Sequence, residues 1–270
     1  MSVLEEIVQH KRAEVEGRRA RRPLDDVMNA ASSRPPARDF IAAVAKPGLS
    51  VVAEIKRRSP AKGNLSTELN PTQLAQAYEA QGASALSVLT DDRFFGGSDS
   101  DLLAAKATVS LPVLRKDFTI DVYQLYEARA LGADAVLLIV RALPGPRLQE
   151  FLSLAAELGM AALVEVHDDD ELERAVEAGA GLIGVNNRNL DTLAVHPETS
   201  FRLKPLIPAG VVSIAESGIA TPELAQRLAT AGYDAILVGE ALVTAQDPGA
   251  LLATLRAAAQ AEGARAPSSP

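Results

Sequence analysis

LATAGYDAILVG, residues 228–239, joins a helix-forming stretch to an aliphatic run through one glycine. The phrase recurs upstream as EAQGASAL (79–86), ARALGADAVL (128–137) and AVEAGAGLIGV (175–185). Its glycines, Gly82, Gly132, Gly179 and Gly232, return about every 50 residues. Each fits the left-handed residue that ends a helix, and each following run fits a strand covered on both faces, as in a parallel sheet. A period of that length holds two strand–helix units, so four periods make eight.

Eight such runs stand in order: VVAEI (51–55), SALSVL (84–89), PVLRK (112–116), DAVLLIV (134–140), AALVEV (161–166), GLIGV (181–185), VVSIAE (211–216) and AILVG (235–239). Asn70-Pro71, Thr221-Pro222 and Asp247-Pro248 each put a capping side chain before a proline at a helix start. The pattern predicts an α/β chain folded as a (β/α)8 (TIM) barrel, with an open doubly wound sheet as the alternative. A length of 270 residues suits one such barrel, which typically takes about 250. The expected organisation is a helical extension over 1–48, a barrel over 49–260 and a disordered tail over 261–270. Within the extension, residues 1–20 read as an extra helix and RRPLDDVMNAASSRPPARDF (21–40) as a loop-rich connection.

Composition narrows the chemistry. With no cysteine there is no thiol nucleophile, disulfide or iron–sulfur cluster, and three histidines leave few soft metal ligands. Carboxylates, amines and amides must do the work. A net charge of -8 argues against a nucleic-acid partner. No apolar run is long enough to span a bilayer, and MSVLEEIVQHKRAEVEGRR is a charged amphipathic start rather than an apolar leader, so a cytoplasmic protein without a membrane partner is expected.

In a barrel the upper ends of the strands build the site. Polar residues fall there: Glu54 and Lys56 after strand 1, Lys116 after strand 3, Glu165 in strand 5, Asn186 and Arg188 after strand 6, and Glu216 and Ser217 after strand 7. Glu54 and Glu165 each interrupt an apolar stretch, where a charge is costly unless paired. Any one of them could be a structural ion pair; together they compose a site that binds an anion and moves protons. Gly218 in IAESGI (214–219) and Gly239 in ILVGEAL (236–242) lie in the loops after strands 7 and 8, where backbone N–H groups of such barrels hold phosphate.

Other features carry less. His10, His167 and His196 have no ligand spacing and read as surface or capping residues, and Asp168, Asp169, Asp170 and Glu171 read as the first turn of a helix. Phe94 and Phe95, in LTDDRFFGGS (89–98), suit either a lid over a flat substrate or ordinary loop packing.

The segments AEIKRRSPAKG (53–63), LTDDRFFGGS, LRKDF (114–118), LVEVH (163–167), GVNNRNL (184–190) and IAESGI, with VLEEIVQHKRAEV (3–15), resemble indole-3-glycerol phosphate synthase, a lyase of tryptophan biosynthesis. The resemblance implies ring closure, decarboxylation and dehydration of 1-(2-carboxyphenylamino)-1-deoxyribulose 5-phosphate, without cofactor or metal. It implies Lys116 as the acid for closure, Lys56 at the substrate's anionic end and in dehydration, and Glu165 as base or proton relay, oriented by Glu54 and Asn186. Ser59, Phe95, Phe118, Arg188, Glu216 and Ser217 match substrate-binding positions, with Gly218, Gly239 and Glu240 at the phosphate. Glu240 stands where the family commonly has a small hydroxyl residue, so only its backbone is expected to serve there. Close lysines and glutamates are expected to draw each other's proton affinities towards neutrality. The expected partner is a small phosphorylated substrate, and the chain is expected to be a monomer, with a homodimer as the alternative. The rivals are another phosphate-binding barrel such as phosphoribosylanthranilate isomerase, which normally uses a cysteine absent here, and a catalytically silent barrel scaffold, which should lack a strand-end lysine or glutamate.

Overall fold

A computed structural model of the chain describes residues 2–66 and 69–260, which leaves the expected tail outside the described residues. Eight parallel strands close on themselves: β1 (Ser50–Ile55), β2 (Ala85–Leu89), β3 (Val113–Lys116), β4 (Ala135–Ile139), β5 (Ala161–Val166), β6 (Leu182–Asn186), β7 (Val212–Glu216) and β8 (Ala235–Val238). Closure is made by β1 pairing with β8, Ser50 opposite Ala235. The barrel predicted from the glycine phrase is therefore the fold, and the open sheet is excluded. The four phrase glycines have φ of +82 to +90°, as a helix end in the left-handed region requires.

Alternation along each strand decides what reaches the interior. Val52, Leu114, Leu163, Ile214 and Leu237 point inward and join one apolar cluster, while Val51, Val88, Val136, Val164, Ile183 and Ile236 face the outer helices in another. Two residues beyond Val52, Leu114, Leu163 and Ile214, on the same inward face, come Glu54, Lys116, Glu165 and Glu216. The charged layer thus stands on an apolar floor. At the other end, Phe40 and Val44 of a short helix (Phe40–Val44) pack with Ala85, Ala135 and Ala235, the first inward residues of their strands, and close the barrel bottom.

The first helix, α1 (Val3–Arg21), carries a capping box at Ser2 and Glu5 and lies across the rim above the strand ends. Its Lys11 is fully buried, with Nζ 2.9 Å from Asp91 after β2, 2.9 Å from Asp117 after β3 and 2.8 Å from Glu14. The reading of 21–40 as loop-rich is corrected: a second helix, α2 (Leu24–Ser32), occupies its centre. Val27 and Ala31, one turn apart, bury themselves with Val15 of α1 and with Tyr123 and Ala130 of the helix α3 (Val122–Leu131). The prolines that suggested a loop, Pro23, Pro35 and Pro36, flank this helix rather than interrupt it.

Candidate active site

The strand ends surround a cavity of about 670 Å³, a size that suits a small metabolite. It brings together Glu54, Lys56, Phe95, Lys116, Phe118, Glu165, Asn186, Arg188, Glu216, Ser217, Gly218, Gly239 and Glu240, all named from the sequence. Ser59 sits apart, buried in an adjoining recess with Leu4, Ile7, Phe95 and Phe118, its Oγ accepting from the Lys62 N–H at 3.3 Å.

Lys116 is the hub. Its Nζ donates to Glu165 Oε2 at 2.7 Å and to Glu216 Oε2 at 2.8 Å. Burial works against its charge, but Glu165, Glu216 and Glu54 outweigh it and hold the ammonium above the ordinary lysine range. Burial likewise works against the charge of Glu165, and Lys116 and His167 overcome it, holding this carboxyl below its usual range. Glu216 goes the other way. Burial, with the added repulsion of Glu165 and Glu54, overcomes Lys116 and lifts it. The expectation that close lysines and glutamates approach neutrality together is thus corrected, because attraction drives an ion pair apart in proton affinity. Only the second carboxylate, crowded by the first, moves towards neutral pH.

A second pair faces this hub. Lys56 Nζ donates to Glu54 Oε1 at 2.6 Å, and Ser87 Oγ reaches Glu54 Oε2 at 3.4 Å. Asn186 Oδ1 accepts from the Arg188 N–H at 2.9 Å, and the Arg188 guanidinium donates to the Leu193 carbonyl at 3.0 Å. Glu54 and Asn186 therefore hold Lys56 and the Arg188 loop, while the partners of Glu165 are Lys116 and His167.

The phosphate-type loops have a matching build. Ser217 and Gly218 have φ of +68° and +77°. A non-glycine residue there carries strain of about 1–3 kcal/mol, which persists where the surroundings demand it. Here Asn187 Nδ2 donates to the Ser217 carbonyl at 3.1 Å. A side chain at Gly218 would run into Val195, and one at Gly239 into the Glu54 carboxylate. The Glu240 carboxylate turns to Lys62 at 2.6 Å and to Arg188 at 3.6 Å. Its charge is thereby matched, and its N–H is what it has to offer an anion.

Of the aromatic pair, Phe95 packs against Phe118 with ring centres 5.9 Å apart and lines the cavity, whereas Phe94 turns away to meet His10 edge-on. Both lie in one helical turn, Asp92–Phe95. His196 is exposed, as expected. His167 is not a surface or capping residue: its side chain is 5% exposed and lies between Glu165 and Glu171. Sequence reasoning missed it, although a position two beyond Glu165 continues the inward face. Lys62 was also passed over, inside a segment read for its neighbours. Asp168 does cap the helix that begins at Asp169, accepting from the Glu171 N–H at 2.9 Å. Among the described residues no helix is long and apolar enough to cross a membrane, and no cluster of three or more histidines, aspartates or glutamates is placed to hold a metal ion.

Known proteins were compared with the chain. Solved structures that resemble it include a tryptophan synthase alpha chain from Legionella pneumophila (TM-score 0.60, 17% identity, 82% of this chain and 97% of that one) and a thiamine phosphate pyrophosphorylase from Pyrococcus furiosus (TM-score 0.59, 18% identity, 78% and 96%). At that identity they speak for the barrel alone. Among curated proteins, indole-3-glycerol phosphate synthase 1 of Streptomyces coelicolor is 50% identical over 260 residues, 96% of this chain and 97% of its own. Indole-3-glycerol phosphate synthase of Parafrankia sp. is 51% identical over 255 residues, 94% and 95%. The family model for indole-3-glycerol phosphate synthase matches residues 4–255, running from the rim helix through all eight strands, and so the chain belongs to the indole-3-glycerol phosphate synthase family.

Proposed function

We propose that this cavity converts 1-(2-carboxyphenylamino)-1-deoxyribulose 5-phosphate to indole-3-glycerol phosphate, carbon dioxide and water, with Lys116 as the acid for ring closure. The observation that carries the reading is the Lys116 ammonium, fixed between Glu165 and Glu216 above the apolar floor. In closure the carboxylate-bearing ring carbon attacks the ketone, and its oxygen becomes an alkoxide of very high proton affinity. An ammonium kept protonated by its carboxylate partners has the proton to give, and its positive charge stabilises the oxygen as charge builds.

Loss of carbon dioxide then restores the aromatic ring. Dehydration removes the new hydroxyl as water and a proton from the adjacent carbon. Lys56, paired with Glu54, holds the substrate carboxylate and protonates the departing hydroxyl, and Glu165, kept deprotonated, takes the carbon-bound proton. Phe118 and Phe95 supply a wall for the aromatic ring, Arg188 and Asn186 flank the hydroxyls, and Gly218 and Gly239 give N–H groups to the phosphate. Mixing purified protein with the carboxyphenylamino substrate in the presence of a chelator should produce indole fluorescence. A silent scaffold would give none.

The phosphate arm has its own test. Gly239→Ala pushes a methyl group into the Glu54 carboxylate at the foot of the anion loop, so KM should rise and inhibition by inorganic phosphate should weaken. Crystals grown in sulfate should hold the anion beside Gly218 and Gly239. Unchanged phosphate inhibition in the variant would move the anion elsewhere.

A further inference from the structure

We propose that His167 is a positioning residue for the reaction: it clamps Glu165 on the oxygen that Lys116 leaves free, and is itself aimed from outside the barrel by Glu171 and Arg141. Lys116 takes Glu165 Oε2, while His167 Nε2, buried and without a hydrogen bond, faces Oε1 at an ion-pair distance of 3.4 Å. The other ring nitrogen, Nδ1, is 2.9 Å from Glu171 Oε2, and the His167 backbone N–H donates to that same oxygen at 2.9 Å. Glu171 Oε1 accepts from Arg141 Nε at 2.6 Å, and the Arg141 guanidinium continues to Asp168 and Asp191, each at 3.1 Å. The chain of contacts runs from the helix Asp169–Glu177 and the turn Val140–Ala142 into the cavity wall.

An imidazole hydrogen-bonded to one carboxylate at Nδ1 and facing a second across Nε2 is favoured in the doubly protonated form. The charged groups around it are Glu165 on β5, Glu171 on its helix and, one contact further, Lys116 on β3 and Arg141. Burial opposes a charged ring, and the two carboxylates outweigh it, lifting His167 to about 9. At neutral pH Glu165 is thus held by two cations on two oxygens. The second cation opposes rotation and protonation of the carboxylate when substrate draws Lys116 away from Oε2.

The inference rests on Glu165 acting as the base, and the tests separate the two. His167→Asn keeps a hydrogen-bonding side chain but removes the cation. It is expected to lower kcat about tenfold, because the carboxylate is less well aimed at the carbon-bound proton, with KM changed less than twofold and the acid limb of the kcat profile moved upward. Unchanged kcat and pH profile would overturn the proposal. Normal turnover in Glu165→Gln would instead overturn the role of Glu165. Should His167→Asn fail to fold, imidazole NMR of the wild-type protein decides, since the chain has only three histidines. One ring should titrate near pH 9 and fall back towards the ordinary histidine range in Glu165→Gln. Three rings titrating in that range, none responding to Glu165→Gln, would refute the clamp.

Discussion

Lys116→Ala is expected to lower kcat by about 10²-fold or more while leaving KM within a small factor, the scale on which a lost general acid is felt. The lysine touches the reacting oxygen, in the reading above, only as the ring closes; substrate is gripped elsewhere, by Lys56, Arg188 and the anion loops. Uniform binding therefore survives and transition-state stabilisation does not. The variant also leaves Glu165 and Glu216 facing each other in a buried space. Breaking a buried pair usually costs about 3–5 kcal/mol, but a carboxyl already lifted by burial can take a proton instead, so the fold should lose less than that. Single-turnover kinetics and urea unfolding on the same preparation separate the effects. Turnover close to wild type in a folded Lys116→Ala protein would remove Lys116 from the mechanism.

Lys11→Met should have the largest effect on stability, about 3–5 kcal/mol, because it strands Asp91 and Asp117 without their shared cation. Burial works against the Lys11 charge, and Asp117, Asp91 and Glu14 overcome it to hold the ammonium above its ordinary range. Asp117 is correspondingly depressed: burial would raise it, but Lys11 and then Arg115 bring it from 3.8 to about 2. A carboxyl lowered in the folded state contributes stability above its unfolded value and loses it as pH falls through the folded one. Wild-type protein should therefore lose this contribution between about pH 4 and 2, and the variant should lose less over that window. Urea midpoints across the range measure both. A variant within about 1 kcal/mol of wild type would mean that the rim helix is not held by this cluster.

The barrel was legible because its signal is repeated: a glycine that ends a helix and a run covered on both faces recur until the strands can only close. The site was legible because each polar strand end shares the inward face of an apolar residue two positions earlier. What escaped had local causes. The helix Leu24–Ser32 offers only Val27 and Ala31 to the core, too few to outweigh flanking prolines on the page. His167 follows Glu165 on the same face, but without ligand spacing it reads as a surface or capping residue, and Glu171, which reads as part of an acidic first helical turn, proves to be buried against it. The direction of the proton affinities was beyond reach, since it depends on which two carboxylates share one lysine, and Lys116 and Glu216 stand 100 residues apart.

Gly239 leaves room for Glu54, and the two meet where the first strand pairs with the last. On the ribosome β1 emerges early and must wait for β8, nearly the whole chain later, before its carboxylate is housed. Contacts of such separation close slowly, at the expense of chain entropy. A nascent or truncated chain ending before residue 235 can hold many of the groups named above and still have no turnover, so the appearance of activity during synthesis should report the closing of the seam rather than the formation of any one strand.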